Sequence, residues 1–332
     1  MADLVARLAA DPAVAAAEAN QPLNLVTRPI RLGLPAFGVG YNDPLAGRQW
    51  AVARIALAQA HAKTRSSSRT VVAVLDTGVD WSHPDFRAPD GRERVIRGRD
   101  WLKNTDFPRD GGGHGTHVAG IVGASADNAL GTVGVAPDCT ILAEKVTSDY
   151  GFGEAAGVAG AIIHATDAGA RILTMSLGSP TLSQVVKDAV SYAQARDVLV
   201  VAAMGNSGRN EKLYPAALPG VMAVGATDDA DRKASFSTFG DWISVAAPGT
   251  NILSTLPTFD NQTGFKDYGW MQGTSMATPH VAGLAALVRD LHPEMSAAAT
   301  KKRIEQTALR PGGSGFSAEL GFGRIDARRA VD

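Results

Sequence analysis

Five short apolar runs that do not alternate with polar residues constrain this chain more than any other feature. They are "TVVAVLD" (70–76), "TILAEKV" (140–146), "RILTMSL" (171–177), "VLVVAAMG" (198–205) and "VMAVGAT" (221–227). A strand solvated on one face alternates apolar and polar residues, whereas a strand covered on both faces does not. Between the runs lie stretches with helical spacing: "GTHVAGIVGAS", "GEAAGVAGAIIHATDAG" and "LSQVVKDAVSYAQARD". Two more, "TSMATPHVAGLAALVRDLH" and "SAAATKKRIEQTAL", follow towards the end of the chain. This alternation predicts an α/β fold of three layers, a mainly parallel central sheet with helices on both faces. Short connections put residues 41–332 in one domain. Residues 1–40 differ: they are Ala-rich at first, then Gly/Pro-rich in "RLGLPAFGVGYNDP", and read as an extension plus linker.

Composition removes several classes of function. With 32 basic and 33 acidic residues the net charge is -1, so no global field favours nucleic acid or anionic membranes. The single cysteine, Cys139, excludes an intrachain disulfide framework and a multi-cysteine metal site, and is expected as a buried thiol. No apolar run approaches the roughly 18 residues of a membrane span. The first residues, "MADLVARLAADPAVAAAEANQ", lack the basic-then-apolar order of a signal peptide.

In such sheets the working residues gather beyond the carboxyl ends of the strands. Asp76-Thr77-Gly78 ends the first run and has two readings. It is half of an acid dyad, which needs a second copy that this chain lacks, or it is the orienting carboxylate of a serine hydrolase. His114 opens a helix after "DGGG", Asn206 follows a strand in "MGNSG", and Ser275 opens another helix. There the free N–H groups favour developing negative charge. Singly, each has an ordinary structural role as a turn or cap residue. Asp76, His114 and His117 are also zinc-ligand types. "SDYGFGEAAG", with Gly151, Gly153 and Gly157, mimics a dinucleotide loop, although "RILTMSL" lacks the acidic end such a site needs.

Taken in chain order, "VLDTGVD", "HGTHVAG" and "GTSMATPHVAG" resemble the motifs of the subtilisin-like serine proteases. The resemblance runs from about Asn42 to the end. "YNDP", "KASFSTFG" and "VAAPG" are similar to thermitase-type members. It implies a serine endopeptidase working through an acyl-enzyme, with Asp76, His114 and Ser275 as the triad. Asn206 and the Ser275 N–H would hold the oxyanion. Imidazole has an ordinary pKa of about 6.5, so activity is expected to fall on acidification. Polypeptide substrates would bind as an extended strand between Gly151, Phe152 and Gly153 on one edge and Ser176, Leu177 and Gly178 on the other. The primary pocket would lie between Ser176–Ser179 and Ala203–Asn206, beside Met204, with Leu213 at its base. No charge lines it, so apolar or neutral side chains are expected there, and Leu213 shortens it.

The same resemblance implies one strong structural calcium site. Its ligands would be Asp43, Asp85 and Asn128, with carbonyls near Ala126, Leu130 and Thr132. A second, loop-borne site is expected to be absent, because Leu102 and Lys103 stand where acidic ligands are needed. His83, His117 and His280 are expected to be structural, and Tyr214-Pro215 to be cis. Residues 11–20 resemble the end of an inhibitory propeptide, which implies a zymogen that cuts itself between about residues 25 and 41. A secreted monomer is expected from the family's habits; in an intracellular protein the extension would instead block the cleft. The rival class is a catalytically silent, cleft-blocked peptide-binding protein on the same scaffold.

Overall fold

In the computed structural model of the chain, the five apolar runs stand side by side in one parallel sheet. The structure describes every residue except 1–4, 7–8, 11–15, 26–27, 31–39, 311–312 and 314, together with the side chains of 28–30. Two short strands open it, β1 (Pro22–Leu25) and β2 (Arg28–Ile30), followed by short helices α1 (Trp50–Arg54) and α2 (Leu57–His61). The body then runs β3 (Val71–Asp76), β4 (Val95–Asp100), α3 (His114–Gly123), β5 (Thr140–Lys145), β6 (Phe152–Glu154) and α4 (Ala155–Asp167). It continues through β7 (Ile172–Met175), β8 (Leu177–Gly178), α5 (Gln184–Ala195), β9 (Leu199–Ala203) and β10 (Met222–Thr227). Last come β11 (Val245–Pro248), β12 (Ile252–Thr255), β13 (Tyr268–Gln272), α6 (Thr274–Leu291), α7 (Ala297–Thr307) and α8 (Ala327–Val331).

The seven-stranded sheet has the order β11-β10-β9-β7-β3-β5-β4, parallel throughout. Strand side chains alternate between faces, and the two cores divide accordingly. Val72 and Val74 pack with α3 and α6 residues such as Val118 and Leu284; Ala73 and Leu75 pack with Val158 and Ile162 of α4 and Val190 of α5. All six residues of β5 are buried, which explains why its run does not alternate. Cys139 is buried and burial pushes its thiol up to about 12, so it is an inert core group. Among the described residues, no helix is long and apolar enough to cross a membrane.

Two small sheets flank the carboxyl ends of the large one. In the first, β1 lies antiparallel between β6 and β8. In the second, β2 joins β13, which is paired to β12.

Candidate active site

Asp76 is the last residue of β3, and its backbone neighbours fix it. Its Oδ1 accepts from the Thr77 N–H at 2.7 Å and from His114 Nδ1 at 2.6 Å. A carboxylate only accepts, so Nδ1 carries the proton and Nε2 is left as the ring's acceptor. Both side chains are buried. His114 Nε2 and Asp76 Oδ2 have no hydrogen-bond partner among the described residues.

His114 starts α3 because the turn before it is pinned from one buried point, Asp110. Its Oδ1 accepts from Gly112 N–H (3.0 Å), Gly113 N–H (2.7 Å) and Thr77 Oγ1 (2.6 Å). Its Oδ2 accepts from Thr116 N–H (2.8 Å) and Thr116 Oγ1 (2.6 Å). Gly113 takes φ +93°, where a Cβ is strained, and a Cβ on Gly115 would lie 2.0 Å from Gly78 O. Thr77 Oγ1 in turn accepts from the Gly115 N–H, tying the end of β3 to the start of α3. Sequence reasoning passed over Asp110, since a lone aspartate beside three glycines reads as a turn.

Ser275 is the second residue of α6, buried at the helix N-terminus. Pro279 lies one turn on and has no N–H to give the Ser275 carbonyl. That carbonyl accepts instead from Ser176 Oγ at 2.8 Å, while Ser275 Oγ donates to Ser176 O at 3.2 Å. Strands β3 and β7 pair in register with Leu75 opposite Met175, so Asp76 and Ser176 are next in line on neighbouring strands. The Asp76–His114 pair and the Ser275–Ser176 pair thus stand at the carboxyl ends of two neighbouring strands. Asn206 is tied to the residue before Ser275: its Oδ1 accepts from Thr274 N–H (2.9 Å) and Oγ1 (3.0 Å), so the side chain's donor is its amide NH2.

The predicted substrate rims are filled, and by the chain itself. Leu23 pairs with Gly153, Asn24 with Phe152 and Gly178, and Leu25 with Leu177, while the Leu25 N–H donates to Gly151 O at 3.0 Å. Leu23 is only 2% exposed, packed with Ala155, Val158, Leu177 and Val186. Beyond Val26 and Thr27, which lie outside the described residues, Arg28 pairs with Gln272, three residues before Ser275. This second rim, β13, was not anticipated from sequence, whereas an extension lying in the cleft stood among the expectations as the cleft-blocking alternative. Upstream, Asn20 Oδ1 accepts from the Ala156 N–H at the start of α4, and Glu18 accepts from the Gln184 N–H (2.8 Å) and Ser183 Oγ at the start of α5. Two helix N-termini are capped by the appendage.

Leu213 touches both walls of the expected primary pocket: a Cβ on Gly178 would lie 2.5 Å from its Cδ2. Met204 is buried in the core with α5 rather than lining open space. Tyr214-Pro215 is cis.

His117 does not face the other two zinc-type residues; its Nε2 sits 3.1 Å from both Ile252 O and Gly269 O, and burial lowers its pKa to about 3. His83 bonds Asp267 O and His280 bonds Met276 O. Gly157 of the dinucleotide-like segment lies beside Trp101, whose Cβ an added Cβ would meet at 3.4 Å.

The residues expected for calcium share one loop cluster. Asp43 accepts from the Asp127 and Asn128 N–H groups, and Asp85 from Asn128 Nδ2 (2.9 Å) and Thr132 N–H (3.0 Å). The Leu130 N–H donates to Asn128 Oδ1, and Ala126 packs alongside against the core. Burial pushes the Asp85 carboxyl up to about 6, and the Asp43 charge adds to this. Among the described residues no three His, Cys, Asp or Glu side chains group as metal ligands. At the other loop, the Leu102 and Lys103 N–H groups both donate to Asp100 Oδ1 at 3.0 Å.

Residues 67–323 match the model of the subtilase family. The chain is 40% identical to the thermophilic serine proteinase of Bacillus sp. (strain AK1), across 97% of this chain and 73% of that protein. It is also 40% identical to thermitase of Thermoactinomyces vulgaris, across 87% of this chain and 98% of thermitase. Among solved structures it resembles fervidolysin from Fervidobacterium pennivorans, a keratinolytic enzyme related to subtilisin, with TM-score 0.80 and 32% identity. That match covers 93% of this chain and 51% of fervidolysin, so the chain spans about half of that protein's length.

Proposed function

The chain belongs to the subtilase family and is a subtilisin-like serine endopeptidase; from that premise we propose that Asp76, His114 and Ser275 are its triad. The observation that carries the reading is the resident strand, paired to rims on both sides of Ser275. His114 Nε2 takes the hydroxyl proton as Ser275 Oγ attacks the substrate carbonyl. Asp76 holds the Nδ1–H and stabilises the imidazolium. The oxyanion sits between the Asn206 amide and the Ser275 N–H, and in subtilisin one such donor is worth about 2.7–4 kcal/mol. His114 then protonates the leaving amine, and water, deprotonated by the same imidazole, opens the acyl-enzyme.

Residues 1–40 act as a zymogen extension on the catalytic domain, 41–332. We place self-cleavage at Val26-Thr27, the middle of the three bonds between the paired residues Leu25 and Arg28. The primary pocket takes small apolar or neutral side chains, since Leu213 occupies its base. Calcium belongs to the reading too, since Asp43 and Asp85 bring two buried carboxylates to one loop. Asp43, Asp85 and Asn128 with the carbonyls of Ala126, Leu130 and Thr132 would hold it, and it would supply stability, not chemistry. Export as a monomer rests on the family resemblance alone.

A fluorophosphonate probe tests the reading. It should label Ser275 after incubation, with a new N-terminus at Thr27 in the mass spectrum. Ser275→Ala should lose the label and about 10^6-fold of kcat, the loss seen in subtilisin. An unlabelled but folded wild type would mean a silent peptide-binding protein.

A further inference from the structure

The cleft continues past the pocket filled by Leu23 into a separate cavity of about 560 Å³, walled by Trp101, Leu102, Val146, Phe152 and Glu154. Two residues of the resident segment, Pro22 and Asn20, border it. They alternate with Leu23, so they lie on the other face of the bound strand. Phe152 is 64% exposed and Leu102 45% exposed, leaving apolar surface beside the backbone of a bound peptide. Aromatic residues make up only 6% of this chain, yet Trp101 and Phe152 both line this cavity.

The Trp101 wall is built, not incidental. Its indole Nε1–H donates to Glu144 Oε2 at 2.7 Å, and its ring meets the His164 ring edge-on at 6.0 Å. A Cβ on Gly160 would lie 2.4 Å from the indole, so α4 is cut away to receive it. Glu144 itself is fully buried in β5, a strand otherwise apolar apart from its two ends, which is a costly place for a carboxylate. Its oxygens accept from Trp101 Nε1, His164 Nδ1 (2.6 Å) and the Arg99 N–H (3.2 Å). The loop that follows is closed by Asp100 pairing with Thr105. No catalytic step uses this cluster, and a buried acid spent on orienting an indole makes sense when that indole is a contact surface.

We propose that this cavity is a further substrate subsite, and that it takes a large apolar or aromatic side chain at the fifth residue before the cleaved bond. Trp101 and Phe152 are its contact surface, and Glu144 is a positioning residue that aims Trp101. The occupant is substrate because the resident segment already delivers Pro22 to the cavity mouth from the adjoining pocket. The inference rests on the protease reading and on the Val26-Thr27 register.

The test uses the full chain, incubated to constant activity, with active serine counted by a fluorophosphonate. Fluorogenic peptides share residues four before to two after the cut and carry Phe, Ala or Lys at the fifth position; a control peptide ends at the fourth. Wild type should prefer Phe over Ala in kcat/KM by about tenfold, through KM. The preference should fall to about one in Trp101→Ala and in Glu144→Leu, and survive in part in Glu144→Gln. If the control peptide is not cut at all, the protease reading fails. If it is cut but Phe and Ala are equal, the subsite is wrong and the protease stands. A preference for Lys would assign the cavity to the Glu154 charge and overturn the apolar assignment. Glu144→Leu with the Phe preference intact would leave Glu144 structural only.

Discussion

A Cβ on Gly178 would come within 2.5 Å of Leu213 Cδ2, and one on Gly205 within 3.1 Å, so a single side chain fills the space between the two walls expected for the primary pocket. Removing it should deepen the pocket without touching the reacting groups. Leu213→Gly is expected to raise the preference for Phe over Ala at the cleaved residue by about tenfold or more, read as a ratio of kcat/KM on matched peptides. An unchanged ratio would mean that another group limits the depth. Leu213 was legible in sequence through its place before Tyr214-Pro215. The four chemical groups were legible for a different reason: each lies in a contiguous motif whose neighbours hold it, as Thr77 holds Asp76 and Thr274 holds Asn206. Asp110 was not, because its meaning comes from donors as distant as Thr77 converging on one carboxylate. Burial raises its pKa even so, the mark of an acid kept for its geometry.

Elements divide along the same line. Strands covered on both faces announce themselves, and the five read from sequence lie within about a residue or two of β3, β5, β7, β9 and β10. β4 was missed because it is an edge strand with the burial of a half-solvated one, and its "VIRGRD" carries two arginines and an aspartate. β1 was missed because "PLNL" is a strand only where two rims supply its partners. Its energetic centre is Leu23, whose burial is worth about 2–3 kcal/mol. A synthetic peptide of residues 16–25 should therefore inhibit the processed enzyme competitively. The same peptide with Leu23→Asp should need about 30–100-fold more for equal inhibition. Equal potency would show that the Glu18 and Asn20 caps, not the Leu23 pocket, carry the hold.

At the scale of the whole molecule, stability is tied to ionisable groups that the fold has buried. If the Asp43–Asp85 loop binds calcium in the folded state only, chelation lowers the melting temperature, by about 2.7 kcal/mol of stability where calcium had been at 100 times its Kd; Asp85→Asn should abolish the shift. Protons act through three buried histidines. Burial holds His117 at about 3, and His61 and His280 at about 4. In the unfolded chain each titrates near 6.5, so their folded values are depressed and the neutral forms are the ones the fold accepts. Their contribution is intact above pH 6.5 and is lost as pH falls from there toward 4. Near pH 5 the unfolded chain holds almost three more protons at these sites, a slope of about 4 kcal/mol per pH unit. Asp110 and Glu144, with pKa values raised by burial, oppose this by gaining stability as pH falls, so the observed slope should be smaller. A variant isolates one term. On the Ser275→Ala background, which prevents self-digestion, His280→Gln should take up about one proton fewer on unfolding at pH 5. Its stability should fall less steeply by about 1.4 kcal/mol per pH unit. Identical slopes would mean that His280 is already charged in the fold, against the burial that disfavours its charged form.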